Sequence, residues 1–198
     1  MSAEAPGWDL HHAEQRRAWR RLSCSARLAW LWQAKRFALQ ATAAARRRRG
    51  FSFRPLRLED LQLLHDWLNR PHVARWWEGP RSLDAVKAKY TPRITGGEVR
   101  CFLALRGSEA VAFIQSYASG GDPKARGVDV FIAEETLLGK GLGAGVIRAF
   151  VELIFSDPSV TCVQADPAPE NARAIRAFEK AGFRRQAPAR LTIVRGLT

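Results

Sequence analysis

The sequence predicts an α/β domain whose sheet begins antiparallel and becomes parallel near its middle. Three observations carry this. Two apolar runs flank Gly107-Ser108, the pattern of a β-hairpin. The strand-like stretch 126–133 is followed by a glycine-rich turn and then by an apolar helix, the order of a βαβ junction. Helix and strand signals then alternate to residue 195.

Each element has a local reason. Residues 53–58 read as a short strand. Glu59 and Asp60 open a helix with negative charge at its N-terminus and Leu61, Leu64 and Leu68 on one face. Asn69-Arg70-Pro71 ends it. Trp76 to Pro80 is a loop, and Ser82 caps a helix running to about Tyr90. Strands follow near 100–105 and 110–117. In the strand 126–133, Val128, Val130 and Ile132 share one face, and Asp129 and Phe131 the other. The helix at about 142–155 buries Val146, Ile147, Phe150, Val151 and Ile154. Asp157-Pro158 breaks it, and 161–165 is a buried strand. A helix at about 170–181 turns Ile175 and Phe178 inward. Gly182 ends it and lets Phe183 fold back over its end. Two last strands are expected near 184–187 and 190–195.

Composition excludes several classes. At 198 residues, 46% hydrophobic and 10% aromatic, the chain can bury a core, so it is neither mainly disordered nor collagen-like. No stretch approaches the roughly 18 apolar residues of a spanning helix. Cys24, Cys101 and Cys162 form no paired framework, and they and His11, His12, His65 and His72 lack metal-ligand spacing. No metal is expected, and a reduced compartment is the simple reading.

The net charge of +13 is unevenly placed. Residues 1–50 hold eleven Lys/Arg against three Asp/Glu, and residues 51–198 hold twenty-one against sixteen. The chain therefore divides into a basic helical extension, 1–50, and a domain, 51–198. Within the extension, 12–45 reads as helix and Arg46 to Arg49 with Gly50 as a stop and linker. Such a segment suits a weak contact with an anionic membrane surface, with nucleic-acid phosphates or with a partner protein. It also suits an appendage with no part in the chemistry. No nucleic acid is required by the domain itself.

The sharpest chemical signal is Gly139-Lys140-Gly141-Leu142-Gly143 between a strand and a helix. Glycines turn backbone N–H groups toward an anion, and the helix N-terminus and Lys140 add positive charge, which suits a pyrophosphate. The spacing is neither a Walker A loop nor a Rossmann fingerprint.

Together with the run Gln164 to Phe183, this loop resembles the acetyl-CoA-dependent GNAT N-acyltransferases. Asp66 to Trp77, Gln115-Ser116-Tyr117, Arg126-Gly127-Val128-Asp129 and Leu138 to Gly143 look like the aminoglycoside 6'-N-acetyltransferases of the resistance type. The resemblance covers about 53–187. It implies the GNAT-like acyltransferase fold, a central mixed twisted sheet with flanking helices. It also implies acetyl-CoA as co-substrate, an aminoglycoside amine as acceptor and a cytoplasmic location.

By the same resemblance, Gly139, Lys140, Gly141, Leu142, Gly143 and Ala144 hold the CoA pyrophosphate. Val130, Phe131 and Ile132 meet the pantetheine arm through their backbone, and Asn171 lies near its end. Asp129 binds the acceptor amine and takes its proton. Trp77, Tyr90, Gln115 and Asp166 line the acceptor site. An acidic set in sequence, Asp122, Asp129, Glu134, Glu135, Asp166 and Glu170, accords with a basic substrate.

Two departures stand out. Phe178 occupies the position where the family usually has a tyrosine that protonates the leaving thiolate, and phenylalanine has no proton to give. Ala118 to Gly121 replaces a longer acidic, tryptophan-bearing loop. Two alternatives therefore stay open: a siderophore-type lysine N-acyltransferase, or a degenerate acyl-CoA-binding protein.

Overall fold

The computed structural model describes Ser23 and residues 50–96, 98–119, 121–187 and 190–196. Apart from Ser23, the helix expected over 12–45 lies outside them.

Among the described residues, seven strands form one mixed sheet in the order β1-β2-β3-β4-β5-β7-β6. They are β1 (Ser52–Pro55), β2 (Arg100–Arg106), β3 (Glu109–Ser119), β4 (Asp122–Ile132), β5 (Cys162–Ala165), β6 (Arg184–Ala187) and β7 (Arg190–Val194). β4 and β5 pair in parallel, and every other neighbouring pair is antiparallel. The first strand is shorter than the sequence suggests, because Leu58 already begins a single 3₁₀ turn. Asp60 explains the tight corner. It is buried, it accepts two hydrogen bonds from the Arg54 guanidinium at 2.6 and 2.7 Å, and it accepts a third from the Arg57 N–H at 2.8 Å. Burial opposes its ionisation, yet these three donors together hold its carboxyl below the usual range.

Helices cover both faces. Between β1 and β2 lie α1 (Leu61–Leu68), α2 (Pro71–Ala74) and α3 (Leu83–Ile94). Pro71 ends α1 and starts α2, as its fixed φ and missing N–H allow. Ser82 Oγ caps α3 by accepting from the Ala85 N–H at 3.2 Å. α3 runs past Tyr90, through Pro92, to Ile94. α1 and α3 press Leu64, Leu68, Val86 and Tyr90 onto Phe113 and Phe131 of the sheet. On the other face, α4 (Leu142–Ile154) and α5 (Ala172–Lys180) bury Val146, Ile147, Phe150, Ile175 and Phe178 against Ile114, Val128 and Ile132. The period of two along β3 and β4 thus feeds two separate cores. α5 ends as the sequence implies. The Phe183 N–H bonds back to the Phe178 carbonyl at 3.1 Å, and the two rings meet edge-on at 5.1 Å.

The feature that positions the site is the parting of β4 from β5. Their pairing covers Ala125↔Cys162, Arg126↔Val163 and Gly127↔Gln164, then stops. From Val128 to Ile132 the outer edge of β4 borders a cleft of about 1030 Å³ instead of a strand. α2 ties down the far end of this free edge. His72 Nε2 meets the Ile132 carbonyl at 3.1 Å, and Arg70 donates to the Ala133 carbonyl at 2.7 Å while pairing with Glu134.

Candidate active site

β3 and β4 set three residue pairs opposite one another on the face that carries α1 and α3: Phe113↔Phe131, Gln115↔Asp129 and Tyr117↔Gly127. The first is a stacked pair with ring centroids 5.3 Å apart. In the second, Gln115 Nε2 donates to Asp129 Oδ2 at 2.8 Å. In the third, the Tyr117 ring lies across Gly127 and its hydroxyl donates to Asp129 Oδ1 at 3.2 Å. A Cβ added at Gly127 would fall 2.3 Å from Tyr117 Cε2, so only glycine lets the ring lie there. Both carboxylate oxygens of Asp129 are therefore held by neutral donors, and their remaining lone pairs are left for a ligand.

Charged and titratable neighbours surround this carboxylate. Gln115 is buried, and its Oε1 accepts from Arg93 Nη1 of α3 at 3.0 Å and from the Cys101 thiol at 3.9 Å. Burial pushes the Cys101 thiol up to about 11, against the influence of Arg93, so it stays protonated and can donate. Burial, and then the charge of Asp129, push the Tyr117 hydroxyl above its usual value and keep it a donor. Lys89, also lining the cleft, is held below the ordinary lysine range by partial burial and by Arg93.

The backbone of β4 supplies donors on the other side. Ala133 N–H bonds to the Val111 carbonyl at 2.9 Å, so Ala133, Phe131 and Asp129 point their N–H groups at β3. Val130 and Ile132 then point theirs into the cleft. The expected trio of Val130, Phe131 and Ile132 resolves into two open N–H groups and one, at Phe131, turned into the sheet.

At the far end, Gly139 and Gly141 have φ of 76° and 80°, and Gly141 is the N-cap of α4 with no side-chain cap. Gly141 has no side chain to cap the first-turn N–H groups of α4, which leaves them for a ligand. Gly139, Gly141, Gly143 and Ala144 line the cleft, as do Arg173 and Arg176 of α5. Backbone donors, a helix N-terminus and two guanidinium groups fit a pyrophosphate. Lys140 is exposed and absent from the lining, and the Leu142 side chain belongs to the core, leaving its N–H as the group that can serve.

The other expected residues divide. Trp77 lines the cleft and packs edge-on against Phe113 and Phe131, at 5.6 and 5.0 Å. Asp166 lines it too, paired with Arg190 at 3.3 Å. Asn171 caps α5, its Oδ1 accepting from the Ala174 N–H at 3.0 Å, and borders the cleft. Phe178 reaches the wall as a bare ring. Tyr90, expected beside the acceptor, is instead fully buried in the core under α3 and does not line the cleft. The acidic set is weaker than its sequence count implies, since Glu134 and Asp166 are each paired with an arginine. Among the described residues, no group of His, Cys, Asp or Glu could hold a metal ion.

Sequence reasoning missed Tyr117 and Arg93 as partners of the site. Tyr117 had a signal: it lies two positions from Gln115, hence on the same face, opposite a glycine. Arg93 had none, because its contact depends on how α3 docks on β3.

Residues 57–191 match the family described as acetyltransferase (GNAT) domain. The aminoglycoside N(6')-acetyltransferase type 1 of Klebsiella pneumoniae is 43% identical over 141 residues, which cover 64% of this chain and 70% of that protein. A lysine N-acyltransferase of Mycolicibacterium paratuberculosis is 28% identical over 145 residues, covering 68% and 65%. Among solved structures, the aminoglycoside acetyltransferase AAC(6')-Ib in complex with coenzyme A and kanamycin superposes with a TM-score of 0.69 at 37% identity, covering 75% of this chain and 96% of that one.

Proposed function

Since the chain belongs to the GNAT acetyltransferase family, we propose that it transfers the acetyl group of acetyl-CoA to a primary amine of a basic small molecule, the 6'-amine of an aminoglycoside. The observation that carries the reading is the Asp129 carboxylate, fixed by Gln115 and Tyr117 beside the parting of β4 and β5. The aminoglycoside acetyltransferases among the relatives support the choice of acceptor.

The glycine turn before α4, with the N–H groups of Leu142, Gly143 and Ala144, binds the pyrophosphate. Arg173 and Arg176 add charge to that end. Val130 or Ile132 points an N–H at the thioester oxygen and stabilises the charge that develops there. Acetyl-CoA supplies the activated acyl group and a thiol leaving group. Asp129 holds the acceptor ammonium and takes its proton, directly or through water, so that the amine attacks as a neutral nucleophile. Tyr117 and Gln115 keep both carboxylate oxygens in register for that transfer. Trp77 closes the apolar side of the acceptor end. Phe178 offers no proton to the leaving thiolate, so water delivers it, which a thiol pKa near 8.5 permits.

The chemistry resides in 51–198. A cytoplasmic site of action accords with acetyl-CoA as donor, and among the described residues no helix is long and apolar enough to cross a membrane. One feature favours a second reading, acylation of a hydroxylated lysine in siderophore assembly. Lys89 and Arg93 bring two cations to the acceptor end, which suits an acceptor that also carries a carboxylate.

Release of CoA thiol, measured with acetyl-CoA and a set of amines, decides between the two. Turnover of kanamycin and tobramycin, but not of an aminoglycoside lacking the 6'-amine, is the expected result. Turnover confined to hydroxylysine-type acceptors establishes the second reading. Acetyl-CoA binding with no turnover on any amine identifies an acyl-CoA-binding protein and overturns both.

A further inference from the structure

We infer that Arg93 is a positioning residue for the reaction, acting through the Gln115 amide to fix the Asp129 carboxylate. This rests on the reading of Asp129 as the group that takes the amine proton.

A guanidinium only donates hydrogen bonds and a carboxylate only accepts them. An amide between the two has one orientation that satisfies both: oxygen to the cation, nitrogen to the anion. Gln115 lies between Arg93 and Asp129, with Oε1 at 3.0 Å from Arg93 Nη1 and Nε2 at 2.8 Å from Asp129 Oδ2. The Cys101 thiol, 3.9 Å from the same Oε1, reinforces that orientation. In the reverse orientation the amide NH₂ would face the guanidinium, which only donates, and its oxygen would face a carboxylate. Arg93 thereby sets the direction of the amide dipole, and a chain of polarised bonds runs from cation to carboxylate.

Arg93 is itself held. Its guanidinium lies over the Tyr90 ring, 5.2 Å from the centroid. Tyr90 is fully buried and packs edge-on against Phe113 at 5.8 Å. The tyrosine expected at the acceptor is thus a platform for the arginine that orients the acceptor's partner. Support passes from the core, Phe113 and Tyr90, to Arg93, then Gln115, then Asp129. Tyr117 fixes the second carboxylate oxygen from β3 independently of this chain.

A double-mutant cycle tests this on the full chain, with Arg93→Met, Arg93→Lys, Gln115→Met and the pair Arg93→Met/Gln115→Met. Kinetics with acetyl-CoA and kanamycin are expected to show kcat about tenfold lower in Arg93→Met, with KM for acetyl-CoA unchanged. Arg93→Lys, which keeps a donor, is expected to recover most of it. In the Gln115→Met background, Arg93→Met is expected to cost less than twofold more. Multiplying effects, or a change in acceptor KM alone, overturns the inference, because Arg93 would then act without Gln115. Should Arg93→Met fail to fold, the same cycle is run with Arg93→Lys, where full independence of the two sites has the same meaning. An inert wild-type protein overturns the functional reading and with it Arg93's part in the reaction, but not the chain of bonds from Arg93 to Asp129. The Gln115 side-chain amide resonances then decide it. Slow exchange in the wild type, lost in Arg93→Met, supports the chain of bonds, and identical exchange in both removes it.

Discussion

The two ends of the cleft are built by opposite means. The end at Gly139 to Ala144 is built mainly of backbone, N–H groups, a helix N-terminus and glycine torsions drawn from six consecutive residues, with Arg173 and Arg176 adding charge. The end at Asp129 is made of side chains from three elements, Arg93 of α3, Gln115 and Tyr117 of β3, and Asp129 of β4. A backbone site loses affinity by degrees when a side chain changes. A side-chain site concentrates its chemistry in one group and its geometry in a few supports, so changes there act mainly on kcat.

That division sets the expected sizes. Asp129→Asn removes the proton acceptor, and kcat/KM should fall by about 10²–10⁴. Steady-state thiol release checks it, and unchanged turnover would end the assignment. Gly127→Ala acts one step away. Its Cβ displaces the Tyr117 ring and with it a hydrogen bond to a charged acceptor. Such bonds contribute about 1.5–3 kcal/mol, so a fall in kcat of at least tenfold is expected, with acetyl-CoA affinity intact. At the backbone end, Gly141→Ala strains a residue at φ 80°, a cost of about 1–2 kcal/mol. The KM for acetyl-CoA should rise about five- to thirtyfold with kcat nearly constant. A drop in kcat without change in KM would blur the contrast between the ends. The smallest effect belongs to Phe178→Tyr, which places a proton donor on the cleft wall. It should raise kcat by about two- to fivefold where thiolate protonation limits turnover, and an unchanged solvent isotope effect would show that water already suffices.

The same contrast explains what the sequence reveals. The glycine turn, the α4 stripe and the α5 capping are local patterns, readable within a few residues, and the structure places them where they were expected. The place of Asp129 on β4 is also legible, through a motif and its face of the strand. The contacts that Gln115 and Arg93 make to support it are not. Gln115 and Asp129 are fourteen residues apart and meet through strand register, which no local pattern specifies. Arg93 meets Gln115 across twenty-two residues through the docking of a helix. Tyr90 was misplaced because a bare aromatic at helical spacing suits a ligand wall and a core alike, and tertiary packing chose the core. Lys140 reads as a charge in a phosphate-type turn, yet Gly139 and Gly141 line the cleft and its side chain does not.

The most direct test of this division measures binding and chemistry on the same samples. Acetyl-CoA is titrated calorimetrically into the wild-type protein and Asp129→Asn, and kanamycin is then added while thiol release is followed. The account expects equal acetyl-CoA affinity within twofold and release slowed at least about a hundredfold in the variant. Release at the wild-type rate, or a loss of affinity that matches the loss of release, would contradict it.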